Sequence, residues 1–233
     1  MANLKEIRNR ITSVSSTMQI TSAMKMVSAA KLKKAQDAIT AMRPYAEKLT
    51  ELLQNLSATL EGEVGGAFTA QREVNKVLIV AITSNRGLCG AFNTNVIKQA
   101  KAVADTYAGK QVDIFAISKK GNDVLRKTNN VIEVNNVIFD KLTFENASDI
   151  AQQLMDKFVK GDYDKIEIVY NEFKNAATQI VRTQQFLPLA PIVGGEVVAS
   201  DYIFEPSKEE IVLTLIPKSL KTQLYKSIRD SFA

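Results

Sequence analysis

The N-terminal part of the chain carries apolar side chains at alternating steps of three and four residues. The members of this heptad series are Leu4, Ile7, Ile11, Val14, Met18, Leu32, Ala35, Ile39, Met42, Ala46, Leu49, Leu53, Leu56 and Leu60. The same frame passes through Thr21, Lys25 and Ser28, so a polar stretch interrupts the apolar seam once. A seam with this period is typical of a coiled-coil helix, which needs a partner to cover it.

Residues that break helices are scarce in this segment. The first proline is Pro44 and the first glycine is Gly62. A helix can therefore run for about 57 residues, which corresponds to about 85 Å at the rise of an α-helix. We predict that residues 1–60 form a long coiled-coil helix, a rod much longer than a globular core requires.

Composition excludes several functional classes. The 233 residues include no histidine and one cysteine, Cys89, which rules out His-based catalytic triads, His-ligated zinc, Cys-rich clusters and intramolecular disulfides. We predict no catalytic residues, no cofactor and no metal site. No apolar run reaches the ~18 residues needed to span a bilayer, so we expect any association with a membrane to be indirect.

The positive charge is concentrated in the predicted long helix. Residues 1–43 contain eight basic and two acidic residues, whereas the chain as a whole has a net charge of +5. Such a basic segment predicts contact with acidic protein, nucleic acid or anionic lipid, or simply a solvated helix face. Aromatic residues are not interleaved with the basic ones before Tyr45, so nucleic acid is not among the partners we predict.

The remaining chain has the pattern of an α/β domain. Residues 77–82 form a continuous apolar run, typical of a central strand that is covered on both faces. A helical pattern over residues 93–107 and a second strand over 112–118 complete a βαβ unit. We predict a Rossmann-like α/β domain over residues 74–206.

Later segments extend this pattern. We predict a helix over residues 147–159, a buried strand over 166–170, and an edge or antiparallel strand over 177–187. Ser207 and Glu210 form a capping box for a further helical segment, and we expect Pro217 to begin or kink the last helix.

The loop that follows the central strand, residues 83–93, lies where open α/β sheets usually bind ligands. Its glycines match neither the dinucleotide-binding pattern nor a phosphate-binding P-loop. Without a histidine to activate it, Cys89 is interpreted as a small packed thiol. Two alternatives stay open from the residues alone: an α/β nucleotide-binding protein with a helical dimerisation arm, and a basic coiled-coil adaptor for nucleic acid.

Three blocks resemble a known family, the gamma subunit of F-type ATP synthase. They are Ile7-Arg8 through Ala29-Ala30-Lys31-Leu32, Thr83 through Asn93, and Pro217 through Arg229. The blocks occur in the family's order and extend over nearly the whole chain. The position of Arg43-Pro44-Tyr45 is also similar to a point where the family tolerates proline in this helix.

The resemblance implies a rotor shaft inside a ring of alpha and beta subunits, with the catalytic sites in the beta subunits. It also implies an α/β domain on the membrane c-ring, contact with the epsilon subunit, and a peripheral position on the cytoplasmic face of the cell inner membrane. The partner contacts that it implies are Met24, Lys25, Met26, Arg86, Tyr202 and Glu205.

The family extends beyond Ala233, and by this resemblance residues 207–233 are the start of a C-terminal shaft helix that is cut short. We therefore expect much of the apolar seam of the shaft to be uncovered. Exposed Leu and Met side chains would then favour self-association.

Overall fold

A computed structural model describes residues 3–58, 66–189 and 207–233 of the chain. Its elements are, in order, α1 (Leu4–Ala58), β1 (Lys76–Ile82), α2 (Phe92–Thr106), β2 (Gln111–Ile117), α3 (Lys119–Leu125), β3 (Asn130–Asn135), α4 (Phe144–Val159), β4 (Lys165–Asn175), β5 (Thr178–Leu187) and α5 (Lys208–Phe232). The fold is therefore mixed α/β, with a long N-terminal helix, one sheet and a C-terminal helix. Within the described ranges, no helix combines the length and the apolar character that crossing a membrane requires.

The sheet has five strands in the order β3-β2-β1-β4-β5. β1 pairs in parallel with both β2 and β4, and β5 pairs antiparallel with β4 at one edge. The predictions of a central strand over 77–82 and of an antiparallel strand over 177–187 are therefore confirmed, with shifts of one residue at their starts.

The central strand β1 shows why the sheet is covered on both faces. Leu78, Val80 and Ile82 belong to a buried cluster with residues of α4 and α5. The alternate residues Val77 and Ile79 belong to a second cluster with residues of α2. Because side chains alternate along a strand, one apolar run supplies both cores.

The long helix α1 has 55 residues and contains Pro44 within it. Its residues up to Lys31 are exposed, and burial begins in the second half of the heptad series. The buried members of the series are Ala35, Ile39, Ala46, Leu49 and Leu53. α1 packs against α5 here, which confirms that α5 covers only part of the apolar seam.

Two elements were missed and one was divided wrongly by the sequence analysis. α3 and β3 lie between β2 and α4, where no element was predicted. Pro217 does not begin the last helix, so that part of the prediction is wrong. α5 starts at Lys208 and continues through Pro217. The predicted cap is present, since the Ser207 hydroxyl accepts a hydrogen bond from the Glu210 backbone N–H at 3.2 Å.

Candidate interaction surfaces

The first candidate surface is the exposed rod, which we define as residues 4–31 of α1. The predicted contact residues Met24, Lys25 and Met26 all lie on it, and Met24 and Met26 are 64% and 66% exposed. The other large apolar side chains exposed on the rod are Leu4, Ile7, Ile11, Val14, Met18, Ile20 and Val27. So many exposed large apolar side chains on one helix indicate contact with another protein surface, although polar residues interrupt the seam at Thr21, Lys25 and Ser28.

The threonine hydroxyls of the rod are bonded within the helix. Thr12, Thr17 and Thr21 each donate a hydrogen bond to the backbone carbonyl four residues earlier, at 3.1, 2.9 and 2.8 Å. These hydroxyls therefore have a local partner already, as is common for threonine in helices. Besides these threonines, the rod exposes apolar side chains, lysine and arginine charges, and the polar side chains Asn9, Ser13, Ser15, Ser16, Gln19, Ser22 and Ser28.

The second candidate surface is the β1 loop, residues 83–91, at the carboxyl end of the parallel strands. Its base is held by Thr83, whose buried hydroxyl is hydrogen-bonded to the Ser118 hydroxyl and accepts the Gly121 N–H at 2.9 Å. Ser118 follows β2 with φ of +123° and ψ of 163°, a conformation that is rare outside glycine. The buried hydrogen bond between Thr83 and Ser118 therefore involves a residue with a strained backbone.

Asn85 joins the β1 loop to the residues that follow β2 and β3. Its side-chain oxygen accepts the Lys119 N–H at 2.9 Å, and its amide donates to the Asn136 carbonyl at 2.6 Å. Asn93 holds the other end, because its side chain accepts the Ser84 N–H at 2.8 Å and donates to the Arg86 carbonyl at 3.1 Å. The loop is therefore tied at several points.

The tip of the β1 loop contains the predicted contact residue Arg86, which is exposed. Leu88 is fully exposed and adopts a φ of +60°, which is uncommon for a residue other than glycine. Cys89 is also exposed, so its interpretation as a packed thiol is wrong. The Cys89 sulfur is not packed in the core but donates to the Arg86 carbonyl at 3.8 Å and accepts from the Asn93 amide of α2 at 3.3 Å.

Two buried tyrosines of the α/β body have raised pKa values. Burial, with the Asp113 carboxylate as hydrogen-bond acceptor at 2.9 Å, raises the pKa of Tyr163 well above its usual range. Burial, together with the negative charge of Asp230, raises the pKa of Tyr170 to about 12. Among the described residues, no group of three or more His, Cys, Asp or Glu side chains is placed to hold a metal ion.

The structure distributes the predicted contact residues over separate elements. Met24, Lys25 and Met26 are on α1, whereas Arg86 is in the β1 loop. Tyr202 and Glu205 lie outside the described residues. Sequence reasoning did not find the Thr83–Ser118 pair or the protruding Leu88, and no pattern in the sequence distinguishes them from ordinary loop residues.

The whole sequence matches known proteins. The ATP synthase family model (ATP-synt) matches residues 3–233. The ATP synthase gamma chain of Flavobacterium johnsoniae is 81% identical and that of Flavobacterium psychrophilum 80%, and each alignment covers 100% of this chain and 82% of the relative. The gamma chain of Cytophaga hutchinsonii is 48% identical with the same coverage.

Solved structures give the same result for the fold. The central stalk and c-ring structure of the Tetrahymena thermophila mitochondrial ATP synthase contains a similar chain, with a TM-score of 0.69, 25% identity and coverage of 91% of this chain and 92% of that one. A chain in the rotor of the Euglena gracilis mitochondrial ATP synthase has the same fold, with a TM-score of 0.59, 19% identity and coverage of 96% and 83%. The nucleotide-binding alternative is not favoured by any of these matches. The chain belongs to the ATP synthase gamma family and is a central-stalk subunit of that complex.

Proposed function

We propose that this subunit is the rotating shaft that couples proton flow through the membrane c-ring to ATP synthesis in the ring of alpha and beta subunits. The catalytic sites belong to the beta subunits, and this chain contributes torque rather than chemistry. The observation that carries the proposal is the exposed rod. Over residues 4–31 no other described element covers α1, whereas the second half of α1 packs on the α/β body. A shaft needs a stiff segment to enter the ring and a body to receive torque.

The surface chemistry of the rod supports this role. Met24 and Met26 are flexible and polarisable side chains, which adapt to differently shaped partner surfaces. The hydroxyls of Thr12, Thr17 and Thr21 are hydrogen-bonded within the helix, so these three residues contribute few directional bonds that would hold the rod at one angle. The lysine and arginine charges would attract acidic segments of a surrounding ring over several ångströms, and this attraction should weaken with salt.

The division of labour along the chain follows from the same proposal. Residues 1–60 serve as the shaft helix, residues 74–206 as the domain near the membrane, and residues 207–233 as the second shaft helix. Met24, Lys25 and Met26 contact the alpha and beta ring, while Arg86, Tyr202 and Glu205 contact partners near the c-ring and the epsilon subunit. Association with the cytoplasmic face of the inner membrane is then peripheral and runs through the c-ring.

Substitution of Met24 tests the shaft role. We expect Met24→Glu to lower ATP-driven proton pumping per ATP hydrolysed in the assembled complex, because a carboxylate on the rod introduces strongly angle-dependent contacts. Met24→Leu is the matched control, since it keeps an apolar side chain of similar size, and it should leave the ratio unchanged. Both variants should melt like the unmodified chain, because Met24 is exposed. A parallel loss of assembly and hydrolysis in Met24→Glu would contradict this assignment of Met24.

A further inference from the structure

The second half of α1 is joined to the body by a buried ion pair. A terminal nitrogen of Arg43, Nη2, donates to Asp230 Oδ1 at 2.8 Å and to the Phe173 carbonyl at 2.6 Å. Arg43 is on α1, Asp230 on α5 and Phe173 on β4. One guanidinium therefore connects the long helix, the C-terminal helix and the sheet.

The surroundings of Asp230 are unusual for a carboxylate. Its side chain is completely inaccessible to solvent, whereas the side chain of Arg43 is 32% exposed. The second oxygen, Oδ2, lies 3.4 Å from Lys226 Nζ but makes no hydrogen bond. A buried carboxylate is costly unless it is paired, so its position depends on the two cations beside it.

The Phe173 carbonyl is available for Arg43 because the strand pairing is irregular at this point. The pairing of β4 with β5 shifts between Phe173 and Asn175. An irregularity of this kind interrupts the regular ladder of backbone hydrogen bonds. The Arg43 guanidinium supplies a donor to the carbonyl beside it.

The apolar contacts of α1 do not by themselves fix its position on the body. Ala35, Ile39, Ala46, Leu49 and Leu53 are buried, but burial of apolar surface is non-directional. A repeating seam tolerates rotation or sliding of one helix along the other, and a single polar pair in such a seam can select one arrangement. A buried ion pair rarely adds net stability over an apolar pair of the same size, so specificity explains its presence better than stability does.

We propose that the Arg43–Asp230 pair sets the axial and rotational position of α1 on the body, so that rod and body turn as one unit. Arg43 and Asp230 are positioning residues, and their part in torque transfer rests on the proposed shaft function. Loss of the pair leaves α1 attached to the body by apolar contacts but allows it more than one position.

The first test measures the position of α1 directly in the full chain. Spin labels are placed at Glu47→Cys on α1 and Glu210→Cys on α5, both exposed positions, in a Cys89→Ser background. The variant is the double substitution Arg43→Met with Asp230→Leu, which replaces the ion pair by apolar side chains and so avoids an unpaired buried charge. We expect a single narrow distance with the pair present and a broadened or double distribution without it. The melting temperature should fall modestly at most, because the ion pair adds little net stability while the Phe173 carbonyl loses its Arg43 donor.

Glu51→Gln is the control for the loss of a carboxylate. Glu51 pairs with Lys48 at 2.6 Å on the same helix, its side chain is 53% exposed, and this pair joins no two elements. It should leave the distance distribution narrow. An equally narrow distribution in the double variant would overturn the positioning role and leave the shaft function untouched.

The second test measures coupling in the assembled complex with the same variants. We expect the double variant to hydrolyse ATP while losing proton pumping per ATP, and Glu51→Gln to retain both. A broadened distance with an unchanged pumping ratio would overturn the link to torque. Failure of the shaft function itself would give a different result. Proton pumping by the complex would then be the same with and without the unmodified chain.

Discussion

At Ser118 we expect the glycine variant to be more stable than the alanine variant, which reverses the usual order of these two substitutions. With φ of +123° and ψ of 163°, Ser118 occupies a region that is essentially restricted to glycine, which costs about 1–3 kcal/mol for other residues. Its hydroxyl bonds to Thr83 in a fully buried position. A hydrogen bond of this kind contributes about 1 kcal/mol to the free energy of unfolding.

The expected stability changes follow from the hydrogen bond, the backbone strain and the added entropy of glycine in the unfolded chain. Ser118→Ala loses the hydrogen bond and keeps the strain, so we expect it to lower the free energy of unfolding by about 1 kcal/mol. Ser118→Gly loses the same bond but relieves about 2 kcal/mol of strain, against about 0.5–1 kcal/mol of added entropy in the unfolded glycine chain. The glycine variant should therefore be nearly as stable as the unmodified chain and about 1 kcal/mol more stable than the alanine variant.

Urea unfolding of the full chain, followed by circular dichroism, measures this difference. For a chain of this size, about 1 kcal/mol corresponds to about 2–4 °C in melting temperature, which gives an independent check. Ser148 in α4 is the matched control, because it has ordinary helical geometry and its buried hydroxyl finds no hydrogen-bond partner among the described residues. There alanine should exceed glycine by about 1 kcal/mol. An alanine variant at Ser118 that is as stable as the glycine variant would refute the assigned strain.

Two further predictions concern the body. Gly121→Ala should lower the free energy of unfolding by about 1–3 kcal/mol, because the added Cβ would lie 2.5 Å from Thr83 Oγ1. Gly87→Ala is the control, since the nearest atom to its Cβ is on the Lys120 side chain at 3.8 Å. Equal urea midpoints for the two variants would contradict the close approach at Gly121. Tyr170 has its pKa raised from its usual value of 10 to about 12, so the folded chain binds one proton more than the unfolded chain between these values. Stability should fall through this window as pH rises, by up to about 1.4 kcal/mol per pH unit. Tyr170→Phe should flatten the alkaline limb of a stability–pH curve, Tyr45→Phe at an exposed position should not, and an identical slope in both variants would refute the assignment.

Strong periodicity made most of the fold predictable. The continuous apolar run of β1 indicated a strand covered on both faces, and the two buried clusters confirm it. The heptad series indicated one long helix, and the observed α1 ends at Ala58 with the first part of its seam exposed. These elements are determined by which residues must leave water, and the sequence contains that information directly.

The missed elements have weak or inverted patterns. α3 has seven residues and contains Gly121, and its N-cap residue Ser118 makes no side-chain cap hydrogen bond, so its helical pattern is too short and weak to recognise. In β3, Ile132 and Val134 are exposed, Glu133 pairs with Lys157 at 3.1 Å, and the pairing with β2 shifts between Val131 and Glu133. The strand therefore lacks a regular alternation of buried apolar and exposed polar residues, and tertiary contacts determine it.

The candidate surfaces were predictable only in part. Met24, Lys25 and Met26 are exposed together with all of α1 up to Lys31, seam positions included, because that part of α1 extends beyond the body; their role as contacts stays a prediction. The exposure of Cys89 and the strain at Ser118 depend on how the β1 loop is tied to Asn93 and to the ends of β2 and β3. Contacts between distant parts of the chain determine such a loop, and no local sequence rule describes them.

Direct observation of rotation tests the central claim. The chain is labelled with a bead through Lys127→Cys, an exposed position after α3, in a Cys89→Ser background and assembled with immobilised alpha and beta subunits. The shaft function predicts sustained turning of the bead in one direction when ATP is added, and none without it. ATP hydrolysis by an assembled complex whose bead stays fixed would contradict the shaft function.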